Sequence, residues 1–195
     1  MTIKQQKEVA SKVYSMLQLA DPDCLLAGGA PRDWYFETPC NDLDFYFCST
    51  ACTMGSTKRQ LEAIGFEGVK HVSDPFTSEL YKSMEGLVRI WECVVDEMKV
   101  QFIQLATPQY RWKVVNNMDV SICKAHCTSK DLNIVLHEDF KLTLASGIMF
   151  LKEGYAWDQK HAIKMQDRFK GVLYCGDKGQ AIANIVRKAL EDFNV

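Results

Sequence analysis

Cys24–Phe47 reads CLLAGGAPRDWYFETPCNDLDFYF, and the fold is decided by how this stretch is read. Cys24, Leu25, Leu26 and Ala27 form a short apolar run, the mark of a buried strand. It stops at Gly28-Gly29, where the missing Cβ atoms let backbone approach backbone or a phosphate closely. Arg32 and Asp33 then open a helix, and Thr38, Pro39 and Asn41 signal a turn. The next strand is Asp42-Leu43-Asp44-Phe45-Tyr46-Phe47. Strand side chains alternate faces, so Asp42 and Asp44 project from one face about 6–7 Å apart while Leu43 points to the core. Two neighbouring carboxylates repel each other and are costly to desolvate, and a cation between them removes both penalties. Mg²⁺ suits that place, because it binds through one or two carboxylates and completes its shell with water and substrate phosphate. Two such ions about 4 Å apart would clamp the oxygens of a phosphoryl displacement. Free N–H groups at Gly28, Gly29 and Ala30 would hold nucleotide phosphates. The plainer alternative is a tight glycine turn and two solvated aspartates at a strand end.

The glycine pair followed some ten residues later by Asp-x-Asp resembles the polymerase-β-type nucleotidyltransferases. More narrowly, GGAPRD and then NDLDFYF is similar to the head domain of CCA-adding enzymes and bacterial poly(A) polymerases, whose pattern is GGxxRD and DxDF. Small phage-encoded nucleotidyltransferase-like proteins look similar over most of the chain. Met118-Asp119-Val120-Ser121 resembles that family's Asp-Phe-Thr element, which contributes to nucleotide binding. The resemblance implies an α+β nucleotidyltransferase fold, a mixed β-sheet with packed helices and a small C-terminal helical part. It also implies roles: Asp42 and Asp44 hold Mg²⁺ and serve catalysis, while Gly28, Gly29, Arg32 and Asp33 bind nucleotide.

The chain departs from that pattern in one informative place. Active members of the superfamily carry a third carboxylate on a later strand, and the nearest match here is Lys99-Val100-Gln101-Phe102, with a glutamine. A neutral amide cannot act as a base and removes one negative charge from the site. Asp119, between two apolar residues, is the other candidate for the missing catalytic group. Asn41 also stands where CCA-adding enzymes often have a basic residue.

Composition narrows the field. The 195 residues suffice for one domain with a substantial core, and 47% apolar with 25% charged residues is ordinary globular usage. A net charge of −2 is not the balance of a protein that grips long nucleic acid through many phosphates. The polar N-terminus MTIKQQKEVA lacks a leader-like apolar segment, and no run of about 18 apolar residues occurs, so a cytoplasmic location (host cytoplasm if phage-encoded) and no membrane partner are expected. The eight cysteines then read as small buried hydrophobes rather than a disulfide framework. A zinc site assembled from Cys48, Cys52, Cys123, His126 and Cys127 is the weaker alternative, since neither half has CxxC spacing.

Around the central stretch, Val9, Val13, Met16, Leu17 and Ala20 predict a helix over residues 3–20 with one buried face. Thr57-Lys58-Arg59-Gln60 has capping-box form for a short helix ended by Gly65, with Lys58 and Arg59 either near phosphate or on a solvated face. Residues 66–72 form a candidate strand, and Asp74–Ser78 a loop. Leu87–Val95 and Lys99–Leu105 predict a hairpin across Asp96-Glu97-Met98. Thr107-Pro108 starts a helix; Asp119–Ala125 and Asn133–Leu136 predict further strands, for five or six in all. From Asp139 the pattern turns helical, with Leu142, Leu144, Ile148, Met149 and Leu151 marking one helix that ends near Gly154. The expected division is a core of residues 1–138 and a helical cap of 139–195 forming one compact unit with it.

The function implied is Mg²⁺-dependent transfer of a nucleoside monophosphate from a nucleoside triphosphate to an acceptor hydroxyl on an RNA end, a small molecule or a protein, with pyrophosphate leaving. No long double-stranded nucleic acid is expected as partner. The competing functions are a catalytically inert version of the fold that binds a host macromolecule, as a phage factor would, and a nucleotide sensor.

Overall fold

The computed structural model describes residues 1–49, 54–73 and 85–193. The expected loop at Asp74–Ser78 and Cys52 lie outside the described residues. By contacts the chain divides into two units, residues 1–115 with 126–135, and residues 116–125 with 136–195. The division is interleaved, with residues 116–125 grouped with the C-terminal part of the chain.

In the first unit, α1 (Ile3–Leu17) starts from a complete capping box: Thr2 Oγ1 accepts from the Gln5 N–H at 3.3 Å and Gln5 Oε1 accepts from the Thr2 N–H at 2.8 Å. Its inner face, Gln6, Val9, Ala10, Val13, Tyr14 and Leu17, follows the helical repeat and is buried. Then come β1 (Leu25–Ala27), α2 (Gly29–Tyr35), β2 (Asp42–Cys48) and α3 (Met54–Ala63). The helix α3 is already formed at Met54, a turn ahead of the expected cap at Thr57, because Thr57 is buried inside it rather than capping it. Lys58 pairs with Glu62 at 3.6 Å on the exposed side, the solvated-face reading of that basic pair.

β3 (Lys70–Ser73), β4 (Leu87–Val95) and β5 (Met98–Leu105) follow, then a 3₁₀ turn at Pro108–Tyr110, α4 (Arg111–Asn116), β6 (Ala125–Cys127) and β7 (Val135–Leu136). The β4–β5 hairpin closes as Val95 opposite Met98, with Asp96 and Glu97 at φ 47° and 68°. Two left-handed residues give the turn the twist that an antiparallel pair needs. The sheet has seven strands, one or two more than expected, in the order β3-β4-β5-β2-β1-β6-β7. β2 and β5 run parallel, whereas β1–β2, β1–β6, β3–β4 and β4–β5 are antiparallel. Val135-Leu136 is the part of the expected strand Asn133–Leu136 that joins the sheet.

Aromatic rings fill the core between sheet and helices. Phe102 lies 4.5 Å from Phe66 and 6.4 Å from Phe47 between ring centroids, and Tyr14 meets Phe45 edge-on at 4.9 Å. The buried Tyr14 hydroxyl donates to the Cys127 carbonyl and accepts from the Leu26 N–H at 2.8 Å, so one side chain ties α1 to β1 and β6. The cysteines among the described residues are all free thiols, and burial pushes Cys24, Cys40 and Cys127 up to about 12. They are packing residues in the protonated form at any ordinary pH.

The second unit contains a 3₁₀ turn at Ser121–Cys123, α5 (Glu138–Ser146), β8 (Ile148–Phe150), α6 (Lys160–Arg168), β9 (Tyr174–Gly176) and α7 (Lys178–Phe193). It corrects two expectations. The helix expected to run from Leu142 to about Gly154 stops at Ser146, because Gly147 takes the left-handed conformation (φ 75°) and caps it. Ile148–Phe150 then pairs in parallel with Tyr174–Gly176, so this unit is not purely helical. Asp119–Ala125 is likewise a bridge and a 3₁₀ turn rather than a continuous strand: Ser121 Oγ bonds Thr143 Oγ1 at 2.7 Å and accepts from the Phe150 N–H at 3.1 Å, fixing the bend. Lys124 and Lys178 both reach the Asp139 carboxylate, at 2.6 and 2.7 Å. Among the described residues no helix is long and apolar enough to cross a membrane.

Candidate active site

The site begins where β1 ends. Gly28 has φ 86° and ψ −119°, a conformation open in practice only to glycine. Gly29 is different: a Cβ there would meet nothing nearer than an Arg32 guanidinium nitrogen at 3.8 Å, an ordinary contact. The conformational demand therefore falls on the first glycine of the pair. Gly28→Val should lower stability by about 1–3 kcal/mol, the usual cost of a side chain forced into such a backbone region, whereas Gly29→Ala should leave it within about 0.5 kcal/mol. Urea melts of the two variants check this, and equal losses would contradict it.

From that turn α2 carries Arg32 and Asp33, which pair through Arg32 Nε and Asp33 Oδ1 at 2.7 Å with both side chains about 5% exposed or less. The turn after α2 is held by Gln6 of α1. Its amide donates to the Cys40 carbonyl at 2.8 Å and accepts from the Trp34 indole N–H and the Cys40 N–H, both at 3.0 Å. These bonds use a buried side chain to set the entry into β2 two residues before Asp42.

Asp42 and Asp44 stand half-buried on β2, with Leu43 and Phe45 between and after them fully buried. The thiol of Cys40 feels Asp33, Asp42 and Asp44 together, which add to burial in raising it. The three carboxylates thus share one neighbourhood at the end of β1 and the start of β2. The β2–β5 register puts Lys99 opposite Asp42 and Gln101 opposite Asp44. On the far side of β5, Glu92 of β4 stands opposite Gln101. Lys99 Nζ lies 2.8 Å from Glu92 Oε2. With the Gln101 amide turned to satisfy its neighbours, its nitrogen donates to Asp44 Oδ1 at 3.1 Å and its oxygen accepts from Lys99 Nζ at 3.2 Å. A polar chain, Glu92–Lys99–Gln101–Asp44, therefore crosses three strands. Lys99 is raised above its ordinary pKa by the Glu92 hydrogen bond first and by Asp42 and Asp44 after it, and Glu92 is lowered by Lys99.

Gln101 was visible in the sequence, but Glu92 and Lys99 were not. Only the hairpin's alternation could have found them, since Glu92, Lys99 and Gln101 all fall on the face that Asp42 and Asp44 occupy once the register is known. Asp119 belongs to the second unit, where both of its oxygens face His161 Nδ1 at 2.7–2.8 Å. That hydrogen bond is the main reason the imidazole is pushed up to about 10. Among the described residues no group of three His, Cys, Asp or Glu side chains is placed to hold a metal ion. Asp42 and Asp44 nonetheless fit Mg²⁺, whose remaining positions are ordinarily filled by water and phosphate.

This arrangement of strands and helices is a nucleotidyltransferase-type fold. Solved structures of CCA-adding and tRNA-processing enzymes share it: a CCA-adding enzyme with CTP matches at TM-score 0.55 and 11% identity over 87% of this chain and 40% of its own. An apo tRNA-processing enzyme matches at 0.55 and 11% over 94% and 46%, and the Thermotoga maritima CCA-adding enzyme complexed with tRNA at 0.54 and 13% over 87% and 39%. The chain thus spans less than half the length of each of these three proteins. No protein-family model and no curated protein matches the sequence.

Proposed function

We propose that the protein is a nucleotidyltransferase that moves a nucleoside monophosphate from a nucleoside triphosphate to an acceptor hydroxyl. The observation that carries this reading is the placement of Asp42 and Asp44 on one face of β2, beside the Gly28-Gly29 turn between β1 and α2. Asp42 and Asp44 would hold Mg²⁺. Bound there, the ion supplies charge neutralisation for the triphosphate and the departing pyrophosphate. The Gly28-Gly29 turn would seat phosphate oxygens on backbone N–H groups, with Arg32 braced by Asp33 behind it. The acceptor oxygen attacks the α-phosphorus, the bond to the pyrophosphate oxygen breaks, and the acceptor proton passes to solvent. Positioning and charge compensation account for the rate, because this reaction asks little covalent chemistry of the protein. Asp42 and Asp44 carry the chemistry in this reading, and Asp119, whose carboxylate faces His161 in the second unit, stays a candidate for the third catalytic group.

The likeness to proteins solved with CTP, ATP and tRNA supports nucleoside triphosphate and RNA as ligands of this chain. A compact acceptor, an RNA end, a small molecule or a protein side chain, suits the net charge of −2 better than a long polyanion. One observation favours a second reading, a nucleotide-binding protein that does not transfer and acts as a sensor or host-interaction factor: the neutral Gln101 lies opposite Asp44. Incubation with each α-phosphate-labelled nucleoside triphosphate, Mg²⁺ and cell extract tests the two. Label in RNA, protein or a small molecule is the expected result, with additions of one or a few nucleotides. Binding without label transfer would establish the second reading instead.

A further inference from the structure

We propose that this site takes a single divalent ion rather than a pair, and that Lys99, held across the sheet by Glu92 and Gln101, supplies the second positive charge from the protein itself. The inference rests on reading Asp42 and Asp44 as the residues that hold a cation, and concerns what surrounds them.

Two divalent ions a few ångströms apart repel strongly, and sites that hold both do so with enough anionic oxygens to bridge and flank them. The neighbours of Asp42 and Asp44 across the β2–β5 register are of the opposite kind. Lys99 opposite Asp42 is a cation, and Gln101 opposite Asp44 is neutral and, with its amide turned to satisfy its neighbours, donates an N–H to Asp44 Oδ1 at 3.1 Å. An oxygen that accepts that bond is less available to a second ion. Lys99 cannot readily withdraw, because Glu92 Oε2 holds its ammonium at 2.8 Å and the Gln101 carbonyl oxygen at 3.2 Å. Nor can Glu92 serve as the missing ligand while it remains the partner of that lysine. Lys70 of β3 stands opposite Glu92, so across the row three carboxylates and two ammoniums leave a charge of −1, which one divalent ion more than balances.

An ammonium fixed beside the ion can do for phosphate oxygens part of what a second ion does, since lysine is a compact charge with three donors. It differs in being permanent. The ammonium would therefore lessen the repulsion between the carboxylates and the triphosphate even before the ion arrives, and added metal would saturate at one equivalent.

The test uses the full chain with Mn²⁺ and an α,β-methylene nucleoside triphosphate, read by calorimetry and by electron paramagnetic resonance. The wild type should bind one Mn²⁺ per chain–nucleotide complex with no spin coupling between ions. Gln101→Glu, which sets a carboxylate opposite Asp44, should raise the number to two and introduce coupling. Lys99→Met should keep one ion and bind it about fivefold more tightly, because the opposing charge is gone. Two coupled ions in the wild type would overturn this inference and leave the proposed function standing. No bound ion at all would overturn the reading of Asp42 and Asp44 themselves. Should Gln101→Glu fail to fold, unchanged Mn²⁺ affinity in Lys99→Met is sufficient to reject the role given to the lysine.

Discussion

Asp42→Asn or Asp44→Asn is expected to weaken binding of a Mg²⁺–nucleoside triphosphate by about a hundredfold or more, and the double variant to abolish it. Each substitution removes one of the two charges that would face the cation, and divalent-ion affinity falls steeply with the charge count of its ligands. The fold should be untouched. Both side chains are half-exposed at the mouth of β2 rather than in its core, and asparagine keeps their shape while relieving the repulsion between them. Titration calorimetry paired with a thermal melt separates the effects. Undiminished affinity in the double variant would remove the site from β2 altogether.

The second large effect concerns stability. Phe102 is fully buried on β5, in contact with Phe47 of the parallel neighbour β2 and with Phe66, so it joins the sheet to the segment that follows α3. Phe102→Ala should cost about 3–5 kcal/mol, the sum of lost transfer energy and the cavity left behind. Since domains are stable by only about 5–15 kcal/mol in total, this variant should be close to unfolding at 37 °C. A urea midpoint shifted by the equivalent of less than about 1 kcal/mol would mean that the ring packing is not what holds β2 against β5.

The elements legible in the sequence were those whose cause is local. The Gly28-Gly29 turn, the Asp-Leu-Asp strand, the apolar face of the first helix and the β4–β5 hairpin each depend on residues within a few positions of one another. The features that escaped depend on distant partners. Gly147 was the available signal for the end of α5, but the apolar spacing of Ile148, Met149 and Leu151 also suits a helix, and only β9, some 25 residues later, makes a strand of them. Ser121 bends its segment because Thr143 and Phe150 bond its hydroxyl, which no local pattern announces. The row of Glu92, Lys99 and Gln101 follows from a register between strands more than fifty residues apart in sequence. The apolar flanks that mark Asp119 in the sequence say nothing of the His161 that faces it.

The interleaving of the two units also constrains how the chain can reach its native state as it leaves the ribosome. Tyr14 bonds a carbonyl at Cys127, a sequence separation of 113 residues, so the first unit stays open until β6 has been made. Residues 116–125 precede that strand but must wait for 136–195 to complete their own surroundings. Folding in order along the chain therefore requires residues 116–125 to stay looped out of the first unit until the rest of the second has been made. Native contacts at such separations form slowly, and the half-made chain carries an unclosed sheet meanwhile, the circumstance in which chaperones matter most.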